Sequence, residues 1–149
     1  MYEENNQEMR FKLYRNVFIA LPFLLLAALQ CKKPPAPDFE NVNWQLDSVQ
    51  LNGRRGPVPG TVNIRIRMSS GAITSSGTCN KPGFSYLLRP ADSIYVHGGV
   101  VTDMLCEEPH ATWETILEKT MNQVVTWKMP DKQHLQLYGK DGSVLYWLR

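Results

Sequence analysis

Val-Asn-Ile-Arg-Ile-Arg-Met, residues 62–68, alternates apolar and polar without a break. Val62, Ile64, Ile66 and Met68 fall on one side of an extended chain, and Asn63, Arg65 and Arg67 on the other. Successive side chains of a strand point to opposite faces, so the pattern is that of a half-buried β-strand and its arginines form a solvated face. Upstream, residues 44–51 (WQLDSVQL) read as a strand ended by a turn at Asn52-Gly53, with Gly56, Pro57, Pro59 and Gly60 prolonging the punctuation into a loop. Downstream, residues 71–78, 84–88, 93–97 and 100–104 are short strand candidates separated by Gly, Pro and Asn. Spacing this regular predicts a barrel or a sandwich.

One helix interrupts the series, beginning near Pro109, whose missing backbone donor is not needed in a first helical turn. Trp113, Ile116, Leu117 and Met121 recur at helical spacing, with Glu114, Glu118 and Lys119 off the stripe. The stripe is expected to lie across the sheet or plug a barrel end as core, not as a cofactor box. Residues 124–129, 134–138 and 143–148 complete the strands, with turns at Pro130-Asp131 and residues 139–142. The fold class is mainly β (α+β by count), with about seven to eight strands and one helix.

The chain has 149 residues and a formal charge of +2. That is the length of one domain, and the part after residue 30 is long enough for a single core. Glu3, Glu4 and Glu8 cancel Arg10, Lys12 and Arg15, so the remainder also carries +2. Arg54, Arg55, Arg65, Arg67, Lys128 and Lys140 are dispersed, which argues against the basic stripe of a nucleic-acid binder.

Catalytic machinery is not legible. No nucleophile elbow, phosphate loop, zinc-type His/Cys pairing or calcium loop occurs, and nothing in the spacing joins a serine to His97, His110 or His134. Cys106, Glu107, Glu108 and His110 combine ligand types that a transition metal accepts, but at no recognised spacing. The chain reads as a non-enzyme, with no catalytic residue, metal or cofactor assigned.

Residues 17–29 (VFIALPFLLLAAL) carry no charge, follow Arg10, Lys12 and Arg15, and precede Gln30 and Cys31. As a helix the run would reach about 20 Å, short of the ~30 Å hydrocarbon core, so residues 1–30 suit an export signal better than a spanning helix. Met9 is an alternative start. The placement of Cys31 resembles that of the lipidated cysteine of bacterial lipoproteins, although Ala28 and Gln30 stand where that pattern has Leu and a small residue. An uncleaved anchor or an ordinary cleaved signal is the alternative; each implies export. Residues 31–41 form a Pro-rich linker that holds a folded domain, residues 42–149, away from the membrane.

Three cysteines in an exported chain need an explanation. With Cys31 consumed by lipid, Cys79 and Cys106 are free to pair in an oxidising compartment. Two reduced cysteines packed as small apolar groups are the alternative.

Several pieces occur in order between Trp44 and Trp147: Trp44-x-Leu46; Gly77-x-Cys79-Asn80 followed by Gly83 and Tyr86; Thr102-x-Met104-x-Cys106; Glu114-x-x-Leu117-x-x-x-Met121; and Leu135-x-Leu137 before a last aromatic strand. Together they resemble the META domain family, also called HslJ-like. Thr78 stands where the family often has a second glycine, and Gly83 comes one residue early. The resemblance implies a lipocalin-like antiparallel barrel or strongly curved sheet, with no catalytic residues. It also implies a place in the cell envelope, with links to stress tolerance. The physical reading of Asn80 is a structural turn.

The expectation is a monomeric lipoprotein anchored in the outer membrane, facing the periplasm, that contacts an envelope protein or the wall. A barrel binding a small apolar ligand is the alternative, motivated by four tryptophans and a barrel mouth.

Overall fold

Strand β1 (Asn43–Leu51) organises the sheet, because it pairs along both edges and on one of them with two different strands. The computed structural model describes residues 37–100, 102 and 104–149; the export segment, Cys31 and residues 32–36 lie outside them. Eight further strands follow: β2 (Arg54–Pro57), β3 (Arg65–Ser69), β4 (Ala72–Ser76), β5 (Gly83–Arg89), β6 (Ser93–Val100), β7 (Val124–Asp131), β8 (His134–Gly139) and β9 (Val144–Leu148). A helix, α1 (His110–Met121), connects β6 to β7.

All neighbours are antiparallel. On one edge of β1, Gln45 to Gln50 pair with β9; on the other, Asn43 to Gln45 pair with β3, and Ser48 to Leu51 pair with β2. The order β1-β3-β4-β5-β6-β7-β8-β9 then returns to β1, closing an eight-stranded barrel with β2 as a hairpin arm outside the ring. Closure removes the unpaired edges that an open sheet would expose. Residues 54–57 read as loop in sequence because they carry no apolar alternation. They form β2 because Asn52 and Gly53, at φ 50° and 76°, make the two-residue turn whose twist suits a hairpin.

The alternation of residues 62–68 persists in three dimensions: Val62, Ile64, Ile66 and Met68 are buried, and Arg65 and Arg67 are exposed. In β1 the register jumps between Leu46 and Ser48, leaving Asp47 as an extra residue. That bulge lets Trp44 and Leu46 before it, and Val49 after it, all turn inward. With Ile73, Leu135, Leu137, Leu145 and Trp147 they fill the barrel with the protein's own side chains.

The packed unit begins at Pro37 rather than at residue 42. Phe39 is fully buried, meets the Trp127 ring edge-on at 4.7 Å, and accepts the Trp44 indole N–H on its carbonyl oxygen at 3.0 Å. Pro37, the last proline of the stretch expected to be a linker, thus stands two residues before a core side chain. Two further boundaries differ from the sequence reading. Strand β7 continues through Pro130 and Asp131, and of the described residues in 100–104, Val100 ends β6 while Thr102 and Met104 lie outside any strand.

The barrel wall is uneven. Strands β8 and β9 share five registered pairs, as do β1 and β9, whereas β6 and β7 share one, Ser93 with Thr126. At that seam the Trp127 N–H also donates to the Asp92 carbonyl at 3.0 Å. Helix α1 is the connection across it, and it buries Leu117 and Met121, with Trp113 and Ile116 packed partly against the core.

Candidate functional site

Glu114 lies on the buried face of α1, not off it as its charge suggested. It sits three residues before Leu117 and seven before Met121, a spacing that places all three on one side of a helix. A carboxylate taken from water needs donors, and two come from the same residue. The Asn80 backbone N–H donates to Glu114 Oε1 at 2.5 Å, and Asn80 Nδ2 donates to Oε2 at 2.9 Å.

Asn80 is buried and its side chain is saturated. Its Oδ1 accepts the Thr102 hydroxyl and the Met104 backbone N–H, each at 2.9 Å, while Nδ2 also donates to the Met104 carbonyl at 3.1 Å. The amide thus offers Met104 the donor and acceptor that a neighbouring strand would have offered. Thr102 and Met104, in the stretch 100–104 expected to be a strand, are therefore bound to a side chain, and with residues 105–108 they form a strap. A disulfide between Cys79 and Cys106, with Cα atoms 5.9 Å apart, fastens the strap to the same loop. Of the two readings open for these cysteines, the structure contains the bridge.

Gly77, two residues before Cys79, lies close against the backbone of Asn63. Its φ is +79°, and a Cβ there would fall 1.6 Å from the Asn63 carbonyl oxygen, so no side chain fits. Gly83 carries no such requirement: a Cβ there would meet only the Ile73 carbonyl oxygen at 3.8 Å. Among the motif residues, Asn80, Thr102, Met104 and Glu114 converge with the disulfide, Gly77 packs on Asn63 instead, and Gly83 begins β5.

The chemistry open to this cluster is holding, not reacting. Both oxygens of Glu114 are engaged, all four hydrogen-bonding positions of the Asn80 amide are used, and both sulfurs are spent in the bridge. The metal constellation weighed in sequence fails for a positive reason: Cys106 Sγ is bonded to sulfur and is not a thiolate. What the clasp presents outward is apolar, since Met104 is 56% and Leu105 fully exposed beside the exposed Glu107 and Glu108.

Clefts among the described residues lie elsewhere. One of about 440 Å³ is lined by Gln45 to Asp47, the loop from Val58 to Asn63, Leu148 and Arg149. A second, of about 190 Å³, shares Asp47 and Leu148 with it and reaches Arg55, His134 and Tyr146. Both open to solvent. There the Arg55 guanidinium lies 3.7 Å over the Tyr146 ring and bonds Asp47 at 3.1 Å, while the Asp131 carboxyl, paired with His134, is held below its ordinary range. These are ordinary exposed pairs of modest energy.

The META domain model matches residues 37–149, the same span that forms the packed unit. Three solved structures share the architecture. The NMR structure of a protein from Burkholderia xenovorans is 20% identical with a TM-score of 0.61, over 80% of this chain and 95% of that one. The crystal structure of a DUF4847 family protein from Bacteroides vulgatus is 11% identical with a TM-score of 0.55, over 74% and 93%. A further NMR structure is 18% identical with a TM-score of 0.55, over 76% and 96%. At these identities the likeness is one of fold. No curated protein matches. The family match spans the barrel, the clasp and the helix together, and the chain belongs to the META domain family.

Proposed function

We propose that this is a non-catalytic envelope lipoprotein, tethered through Cys31, whose barrel contributes to stress tolerance by contacting another envelope protein or the wall. The observation that carries the non-catalytic part is the saturation of the Asn80 cluster, which leaves the motif residues no free group to attack, protonate or ligate a substrate. Contact is then a task for the exterior, where the clasp fixes Met104 and Leu105 in the open. Exposed apolar side chains on a pre-ordered segment bind with little entropic cost of ordering. The tether rests on the uncharged run at residues 17–29, the cysteine that ends it and the prolines that follow.

The apolar-ligand alternative is less well supported. Trp44, Trp147, Met68 and Leu135 occupy the space inside the strands that such a ligand would need.

Fractionation of cells expressing the full chain tests the tether, with intact mass of the mature N-terminus. Wild type is expected in the membrane fraction with a diacyl or triacyl mass on Cys31, and Cys31→Ala in the soluble fraction. An unmodified N-terminus with no change on substitution would overturn the anchor. A photo-crosslinking residue at Leu105 tests the contact. A discrete adduct that disappears in Asn80→Ala supports the strap as the contact surface, and no adduct under envelope stress contradicts it.

A further inference from the structure

We propose that Glu114 guards the Cys79–Cys106 bridge against thiol reductants, so that the strap stays fastened under conditions that open an unguarded exposed disulfide. The atoms around the bridge are mostly electronegative. Cys106 Sγ lies 3.3 Å from the Met104 carbonyl oxygen and 3.4 Å from Glu114 Oε2; Cys79 Sγ lies 4.0 Å from the Leu105 carbonyl oxygen. Among the described residues the donor facing Cys106 is Asn80 Nδ2 at 3.1 Å, already shared between Glu114 and Met104. Among the described residues no cation pairs with Glu114.

Reduction by a dithiol proceeds in two displacements. A thiolate attacks one sulfur of the bridge in line with the S–S bond, forms a mixed disulfide and expels the other sulfur as thiolate. The second thiol of the reductant, deprotonated, then attacks the mixed disulfide and releases the first cysteine. Two electrons pass to the protein, the two expelled thiolates take up protons, and the reductant leaves as its own disulfide. In the first displacement the negative charge spreads over three sulfurs. Cys106 is the central sulfur if it is attacked and the leaving sulfur if Cys79 is attacked. Either route therefore places negative charge beside the Glu114 carboxylate, at a separation where like charges repel strongly. Glu107 and Glu108 are also near in sequence, but they are exposed and screened by water and salt.

The test uses the folded oxidised protein and two monothiols of opposite charge, cationic 2-aminoethanethiol and anionic 2-mercaptoethanesulfonate. The rate of bridge opening is read by thiol labelling and mass. Each rate is corrected for thiolate concentration and for the same thiol's rate on a small neutral disulfide. Wild type is expected to favour the cationic thiol by about tenfold or more, and Glu114→Gln to reduce that preference below about threefold. Glu107→Gln with Glu108→Gln is expected to keep most of it. A variant that merely loosened the strap would speed both thiols equally and leave the ratio unchanged, which would overturn the guard role. So would a wild-type ratio near one, or loss of the preference in the Glu107/Glu108 variant. Those last two measurements stand even if Glu114→Gln fails to fold.

Discussion

The barrel is closed by two different kinds of bonding on its two sides. The wall formed by β8, β9 and β1 has continuous ladders and inward Leu135, Leu137, Leu145, Trp147 and Trp44. The β6–β7 seam has one registered pair, and the connection between those strands, a strap and α1, is fastened to the β4–β5 loop by one amide side chain and a disulfide. Backbone ladders and apolar burial are spread over many residues, so no single polar group decides the wall. The clasp concentrates its bonding in Asn80, Glu114 and two sulfurs. The motif residues thus divide: Asn80, Thr102, Met104 and Glu114 gather in the clasp, while Trp44, Leu46, Leu135 and Leu137 lie in the wall.

The largest effect should come from the wall. Trp44→Ala removes a fully buried indole and its bond to the Phe39 carbonyl, and denaturant unfolding should show a loss of about 3–5 kcal/mol. On the clasp side, Cys79→Ala with Cys106→Ala opens a loop closed over a separation of 27 residues, and a loss of about 3.5 kcal/mol is expected from chain entropy. Asn80→Ala strands the Glu114 carboxylate without its side-chain donor and frees Met104, for a loss of about 2–3 kcal/mol. Asn80 and the bridge fasten the same strap. Their losses should be less than additive in a double-mutant cycle, whereas either should add to Trp44→Ala.

How much of this could be read in advance follows the same division. The alternation of residues 62–68, the Asn52-Gly53 turn and the Trp113–Met121 spacing are local patterns, and they located the barrel strands and the helix. Phe39 was hidden because prolines on its N-terminal side read as spacer. The strap was misread because Met104 counts as apolar strand content, while its actual partner is a side chain 24 positions away. Glu114 was assigned to the solvent face by its charge alone. Its spacing from Leu117 and Met121 was a signal for the other face, but only the distant Asn80 donors make a buried carboxylate acceptable there.

The smallest expected effect is a pH dependence at Tyr86 in β5, outside both the wall and the clasp. Tyr86 is buried and donates its hydroxyl to the Glu40 carboxylate. Burial, then that bond and charge, raise its pKa above the ordinary 10.0. Folding therefore favours the neutral phenol. Its contribution is fully present below about pH 10 and is lost as pH rises from the unfolded toward the folded value. Thermal unfolding should show an alkaline decline above pH 10 that is shallower in Tyr86→Phe. An identical decline in both proteins would contradict this assignment.

Hydrogen exchange on the oxidised protein and on the protein reduced with a neutral phosphine tests the division most directly. If the clasp is a separate fastening, reduction should abolish protection at residues 102–106 and in the first turn of α1, while β1, β8 and β9 remain protected. A loss of protection spread evenly over wall and strap would contradict the account.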